Sequence, residues 1–262
     1  MNLPVIHDNN THREKDFMID ALHLSKKYGE RTVVSDLSLH VETGDVLGFI
    51  GPNGAGKTTT MKMLGGIMPP YHGIVTIDGV DIVKSPRAAK KVIGFLPENA
   101  PLPTLMTVSS FLEYVAMLRG FPKKEARKKV EYVAERCNIK DVLFQDIDSL
   151  SKGYKRRVCL AQSILHSPKA LIMDEPTDGL DPNQKRQIRH LIQELRKDTA
   201  IIISTHILEE VDAVCSRVFL LCSGHTLFDG DTRSFRQMAE KDSLSLPELF
   251  SKMTEEYAEV MA

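Results

Sequence analysis

Apolar and polar positions divide the chain into segments of two periods. Residues 17–24 and 37–41 alternate apolar with polar and are bounded by turn-formers such as Gly29 and Gly44, which predicts strands with one buried face. Residues 46–50 are apolar throughout, the pattern of a strand covered on both sides. A glycine-rich stretch follows, then a helical pattern over 57–64 that stops at Gly65-Gly66 and Pro69-Pro70. Residues 74–77 with Asp78-Gly79 predict a short strand and turn, and 92–96 a further strand. Helical periodicity takes over at 108–118 and 123–137, broken by Gly120-Phe121-Pro122. Beyond it lie a helix over 153–166, a strand over 170–173, a helix over 183–196 and a strand over 200–204. Strands alternating with helices predict an α/β fold, a mostly parallel sheet with helices packed on it. Residues 234–261 predict one or two short amphipathic helices as a C-terminal appendage.

Composition narrows the classes. The 262 residues suit one large domain with a small appendage, and 42% hydrophobic with 26% charged residues excludes global disorder. A net charge of −1 gives no electrostatic reason to expect nucleic acid as a partner. The longest apolar runs, 46–50 and 218–222, fall far short of the roughly 20 residues that span a bilayer. Cys137, Cys159, Cys215 and Cys222 form no CxxC pair and are expected to be reduced, buried thiols. Residues 1–16 read as a loose polar tail without the apolar core of a secretory signal, and the sequon Asn9-Asn10-Thr11 as a chance triplet. Lys123, Lys124, Arg127, Lys128 and Lys129 make one helix strongly basic, expected as a solvated face.

Chemistry enters at Gly51-Pro52-Asn53-Gly54-Ala55-Gly56-Lys57-Thr58, which matches G-x-x-x-x-G-K-[ST] between a buried strand and a helix. Glycines permit a tight loop whose N–H groups face phosphate oxygens, and the helix N-terminus adds roughly half a positive charge. Lys57 would reach the β and γ phosphates; Thr58 would place its hydroxyl on Mg²⁺, with Thr59 at hand. Downstream, four apolar residues run into Asp174-Glu175. Side chains alternate along a strand, so the two acids point differently, Asp174 suiting the Mg²⁺ shell and Glu175 a water in line with the γ phosphate. No NKxD sequence is present to read guanine, which favours ATP over GTP. Together these residues predict a Mg²⁺-dependent nucleotide hydrolase.

Leu150-Ser151-Lys152-Gly153-Tyr154, opening an apolar-striped helix, resembles the LSGGQ signature of ATP-binding cassette (ABC) proteins. Gly179-Leu180-Asp181-Pro182 is similar to the D-loop of that family, His206 to its switch histidine at the γ phosphate, and Tyr28 to its adenine-stacking aromatic. Leu96-Pro97-Glu98-Asn99, with the signature segment, resembles the ABC-2 type exporter group. Two positions depart from the general pattern. Glu98 stands where most cassettes have glutamine and would add a negative charge as a contact of Mg²⁺, and Tyr154 replaces the signature glutamine, whose side-chain contact does not simply carry over.

The resemblance covers about residues 17–230 and implies a P-loop NTPase cassette with a RecA-like mixed sheet, an N-terminal antiparallel β subdomain and an inserted helical subdomain near 99–152; 231–262 would be a helical extension. It implies ATP and Mg²⁺ as ligands and two cassettes packed head to tail as a homodimer, each nucleotide held by one copy's Lys57 and the other's Ser151 and Gly153. It also implies a separate transmembrane permease that holds the chain at the cytoplasmic face of the membrane. Sequence physics alone leaves open whether Ser151 reaches its own copy's nucleotide. A soluble cassette ATPase of translation, DNA repair or iron–sulfur assembly is the alternative.

Overall fold

The computed structural model describes residues 6–7, 17–99 and 101–261, with no side-chain description for 6, 7 and 261. The elements begin with β1 (Ile6–His7), which pairs in parallel with residues 228 and 229. The rest of the polar N-terminal segment, with its sequon, lies outside the described residues. β2 (Ile19–Tyr28) and β3 (Arg31–Val41) form a hairpin longer than the alternating pattern predicts. Register shifts at Ala21/Leu24 and beyond break the alternation, and His23 and Asp36 sit at positive φ, bonded to each other through Nδ1 and Oδ1 at 2.7 Å. The bulge hides the period-two signal over 25–36 while leaving the backbone paired.

The chain continues through β4 (Val46–Ile50), α1 (Lys57–Leu64), β5 (His72–Ile77) and β6 (Val80–Asp81). Asp78 and Gly79, both at positive φ, make the tight turn between β5 and β6. After α2 (Pro86–Val92) and β7 (Ile93–Leu96) come α3 (Val108–Leu118) and α4 (Lys123–Arg136). Thereafter the order is α5 (Lys152–Ile164), β8 (Ala170–Asp174), α6 (Pro182–Leu195), β9 (Ala200–Ser204) and α7 (Leu208–Val214). The last elements are β10 (Arg217–Cys222), β11 (His225–Asp231), α8 (Thr232–Lys241) and α9 (Leu246–Met261).

Among the described residues these strands make two sheets. One is antiparallel, in the order β3-β2-β5-β6; the other is mixed, in the order β1-β11-β10-β4-β9-β8-β7. β10, β4, β9, β8 and β7 run parallel. Their inner members are buried on both faces, and alternate residues join different cores. Leu171, Met173, Ile201 and Ile203 face a core shared with α3, α4 and α5; Ile172, Ile202, Leu47 and Phe49 face one shared with α1 and the antiparallel sheet. Phe49 stacks on its register partner Phe219 at 4.9 Å, and burying each such side chain contributes roughly 1.5–3 kcal/mol.

α3 and α4 thus join the sheet through α5 as one continuous core, where an inserted helical unit is expected. The C-terminal helices cover a third, smaller cluster around Phe228, Phe235 and Leu249. α2, α7, β10 and β11 are not anticipated as elements from the pattern. Residues 218–222 register only as an apolar run, and α2 and α7 have seven residues each, two turns, too short for a clear period. All four cysteines are free; Cys137, Cys159 and Cys222 are buried as expected, whereas Cys215 is only partly buried.

Candidate active site

Parallel strands in register bring their carboxyl ends to one edge, where α/β folds bind ligands. Asp174 pairs with Ser204, Ser204 with Phe49, and Leu96 with Met173. The loops opening at Gly51, Glu98, Glu175 and Thr205 therefore leave the sheet side by side. A cleft of about 390 Å³ lies there, lined by Tyr28, Arg31, Val33, Asn53, Gly54, Gly56, Lys57, Thr58, Thr59, Glu98, Asp174 and Glu175.

The glycine-rich loop owes its shape to two constraints. Gly56 has φ 107°, and a Cβ there would stand 2.7 Å from the Val33 carbonyl oxygen; at Gly51 a Cβ would meet the Leu221 carbonyl at 2.2 Å. The turn between β10 and β11 braces the loop from behind, Gly224 N–H donating to the Ala55 carbonyl (2.9 Å) and Ser35 N–H to the Gly224 carbonyl (2.9 Å). Lys57 Nζ donates to the carbonyls of Gly51 (2.8 Å) and Pro52 (3.1 Å). Burial holds the Lys57 ammonium below the usual lysine range, opposed by the charges of Glu175, Asp174 and Glu98.

Alternation along β8 carries past its end. Asp174, in phase with Ile172, is buried and accepts a hydrogen bond from the Ser204 hydroxyl. Glu175 turns out of the strand at φ 50°, a left-handed conformation uncommon for a residue with a side chain. Its Oε1 lies 2.8 Å from His206 Nδ1. Burial pushes the Glu175 carboxyl up, while the hydrogen bond and charge of His206 and the charge of Lys57 pull it down.

Of the other expected residues, some border this cleft and some do not. Tyr28 is half-exposed, its hydroxyl 3.4 Å from Met68 Sδ. Its register partner Arg31, and Val33 beyond, also line the cleft and escape sequence reasoning; the β2–β3 turn beside an aromatic was the available signal. Gly51, Pro52 and Ala55 shape the loop without lining the cleft. Ser151 caps α5, its side chain accepting from Tyr154 N–H at 3.3 Å. Ser151 and Gly153 do not line the cleft of their own chain, and neither does Asp181, which caps α6 through Asn183 and Gln184 N–H (2.9 Å each). Gly153 is buried against Gln184, and Lys152 pairs with Asp178 at 2.8 Å, so the signature loop and the loop before α6 form one surface. Tyr154 donates to Asp141 Oδ2 at 2.8 Å, a use glutamine in its place would not predict.

The sequence profile described as ABC transporter matches residues 34–178. The chain belongs to the ABC transporter family. The ABC transporter ATP-binding protein NatA of Bacillus subtilis is 33% identical over 234 residues, 87% of this chain and 95% of that protein. The Nod factor export ATP-binding protein I of Paraburkholderia xenovorans is 37% identical over 212 residues, 79% of this chain and 68% of that protein. A solved structure described as the ATP-binding subunit of an ABC transporter superposes with a TM-score of 0.83 at 28% identity, covering 90% of this chain and 99% of that one. The chain is thus an ABC cassette, a P-loop α/β ATPase and the ATP-binding subunit of an ABC transporter.

The cassette also suits a divalent cation. Among the described residues no cluster of three or more His, Cys, Asp or Glu could hold a metal by itself. Asp174 and Glu98 do, however, share the cleft with the Thr58 hydroxyl, an all-oxygen set. Mg²⁺ favours that chemistry, one or two carboxylates with the rest supplied by phosphates and water.

Proposed function

We propose that this cassette powers an ABC-2 type exporter, binding ATP between two copies of itself and passing the work to a separate membrane-spanning permease. Lys57 and the Gly51–Thr59 loop grip the triphosphate, Tyr28 stacks on adenine, and Thr58, Asp174 and Glu98 hold Mg²⁺, which when bound neutralises charge developing on the phosphates. Glu175 orients the attacking water and His206 fixes Glu175 and reaches the γ phosphate. The observation that carries this reading is the gathering of Lys57, Thr58, Asp174 and Glu175 in one cleft that Ser151 and Gly153 do not line. A second copy placed head to tail supplies its Ser151 and Gly153, and its Asp181 segment, to the open side.

Hydrolysis removes the phosphate both copies hold, so ATP and its products favour different arrangements of the pair, the condition for driving a mechanical cycle. Export is supported by the likeness of the 96–99 and 150–154 segments to that group and by the name of the Nod factor relative. A permease partner is supported by the absence, among the described residues, of any helix long and apolar enough to cross a membrane. Such a partner would hold the cassette at the cytoplasmic face. The assigned division is an ATPase domain over 17–230, with its helical subdomain near 99–152, and a C-terminal helical extension. Copurification from membranes tests this reading: a polytopic permease should accompany the tagged chain, and its absence from an ATPase-active preparation would favour a soluble role.

A further inference from the structure

The second turn of α5 sends one side chain into the active-site backbone. Arg156 is 5% exposed. Its Nη1 donates to the carbonyls of Pro97 and Glu98, both at 2.6 Å, and its Nη2 to the carbonyls of Asp174 and Glu175. A single guanidinium therefore ties the helix that begins at Ser151 to both acidic strand ends of the cleft. Burial disfavours the charge of Arg156, and although no ion pair among the described residues includes it, four carbonyl dipoles together with the nearby charges of Asp174, Asp178 and Glu175 offset that cost. A planar fork can serve two chain segments at once; an ammonium, with three donors on one atom, cannot span them in the same way.

Backbone conformation explains why the site accepts this fork. Successive carbonyls of an extended strand point in opposite directions, whereas those flanking a helical φ, of either hand, point the same way. The left-handed Glu175 turns its own carbonyl and that of Asp174 toward the same nitrogen. The guanidinium thereby stabilises the conformation that projects the Glu175 carboxylate toward His206, and one sparsely populated backbone state at a functional site gains its support.

We propose that Arg156 is a positioning residue that makes hydrolysis depend on the placement of the signature helix. It transmits the setting of Ser151 and Gly153, when they close on the nucleotide of the facing copy, to the backbone that aims Glu175 and Glu98. This rests on the head-to-tail reading above and adds a link inside one chain. The reacting water is oriented only when α5 and the β8 terminus are locked together, so a cassette with a displaced signature helix holds ATP without splitting it.

The test uses the full chain carrying R156Q or R156K, with ATP turnover measured at saturating Mg²⁺ and ATP-driven dimerisation measured in an E175Q background. Loss of aim without loss of grip predicts a kcat lowered on the order of 10²-fold with KM for ATP changed less than about threefold, and dimers that still form with ATP. R156K should share the kcat defect, because charge without the fork does not bridge the two segments, and it carries the test where R156Q does not fold. A wild-type kcat in R156K, or a loss confined to KM, overturns the assignment. Failure of E175Q itself to dimerise would instead overturn the head-to-tail reading, so the two failures are distinguishable.

Discussion

The imidazole of His206 and the carboxylate of Glu175 meet at 2.8 Å although they leave different strands. The parallel register that pairs Asp174 with Ser204, and the Glu175 N–H bond to the Ser204 carbonyl at 3.0 Å, bring the two strand ends to the same level. A carboxylate largely removed from water, its side chain 13% exposed, and held at one oxygen by a ring nitrogen leaves its second oxygen for a water molecule. Substituting Glu175→Gln keeps the shape and removes the carboxylate proposed to orient the attacking water. Steady-state phosphate release should fall by roughly 10²–10⁴-fold, while ATP binding, followed with a fluorescent analogue, stays near wild type. Turnover at the wild-type rate would remove Glu175 from the mechanism.

Ser204 donates its buried hydroxyl to Asp174, and neither group touches bulk solvent appreciably. Ser204→Ala leaves a buried carboxylate oxygen without its donor, a loss of about 1.5–3 kcal/mol for a hydrogen bond to a charged group. The expected result is a lowered unfolding midpoint together with a higher Mg²⁺ concentration for half-maximal ATPase. Stability lost without a change in the Mg²⁺ dependence would assign Ser204 to packing alone.

The glycine loop makes a graded prediction. Gly54 and Gly56 both have positive φ, but a Cβ at Gly54 meets nothing within 4 Å, whereas at Gly56 it meets the Val33 carbonyl at 2.7 Å. Gly54→Ala should incur only the left-handed penalty, on the order of 1–3 kcal/mol. Gly56→Ala must also push β3 from the loop. Nucleotide titrations should show a weakened Gly54 variant and a Gly56 variant with no measurable affinity.

At the far end of α5, burial depresses His166 to about 4 from an ordinary value of 6.5, aided by the charges of Arg119 and Lys129 and opposed by its 2.9 Å contact with the Ile93 carbonyl. The folded state keeps this ring neutral where the unfolded chain would protonate it. Its stabilising contribution is therefore complete above about pH 6.5 and drains away as pH falls toward 4. Chemical denaturation of His166→Gln, which can still donate to Ile93, should show a shallower loss of stability across that window. An unchanged slope would place the acid sensitivity elsewhere.

Much of the cleft was legible because its residues lie in short, local patterns. Lys57 and Thr58 follow a buried strand and a glycine loop, and Asp174-Glu175 end another, so spacing alone announces them. What escaped detection depends on contacts between distant segments. Ser204 reads as the last residue of a strand until the register sets it beside Asp174. Arg156 reads as one of three consecutive basic residues on an amphipathic helix, yet it and Arg157 are buried while Lys155 is not. Arg31 lies beyond a bulged strand whose alternation is broken. The Tyr154–Asp141 bond is equally nonlocal and gives the altered signature residue a partner within its own chain.

Completion of the cleft by a second copy is measured most directly by sedimentation of the Glu175→Gln protein with and without ATP and Mg²⁺. It should sediment as a monomer alone and a dimer with ATP, and adding Ser151→Phe should abolish the dimer while ATP binding persists. A protein that stays monomeric at saturating ATP, or dimerises equally well with phenylalanine at position 151, would contradict it.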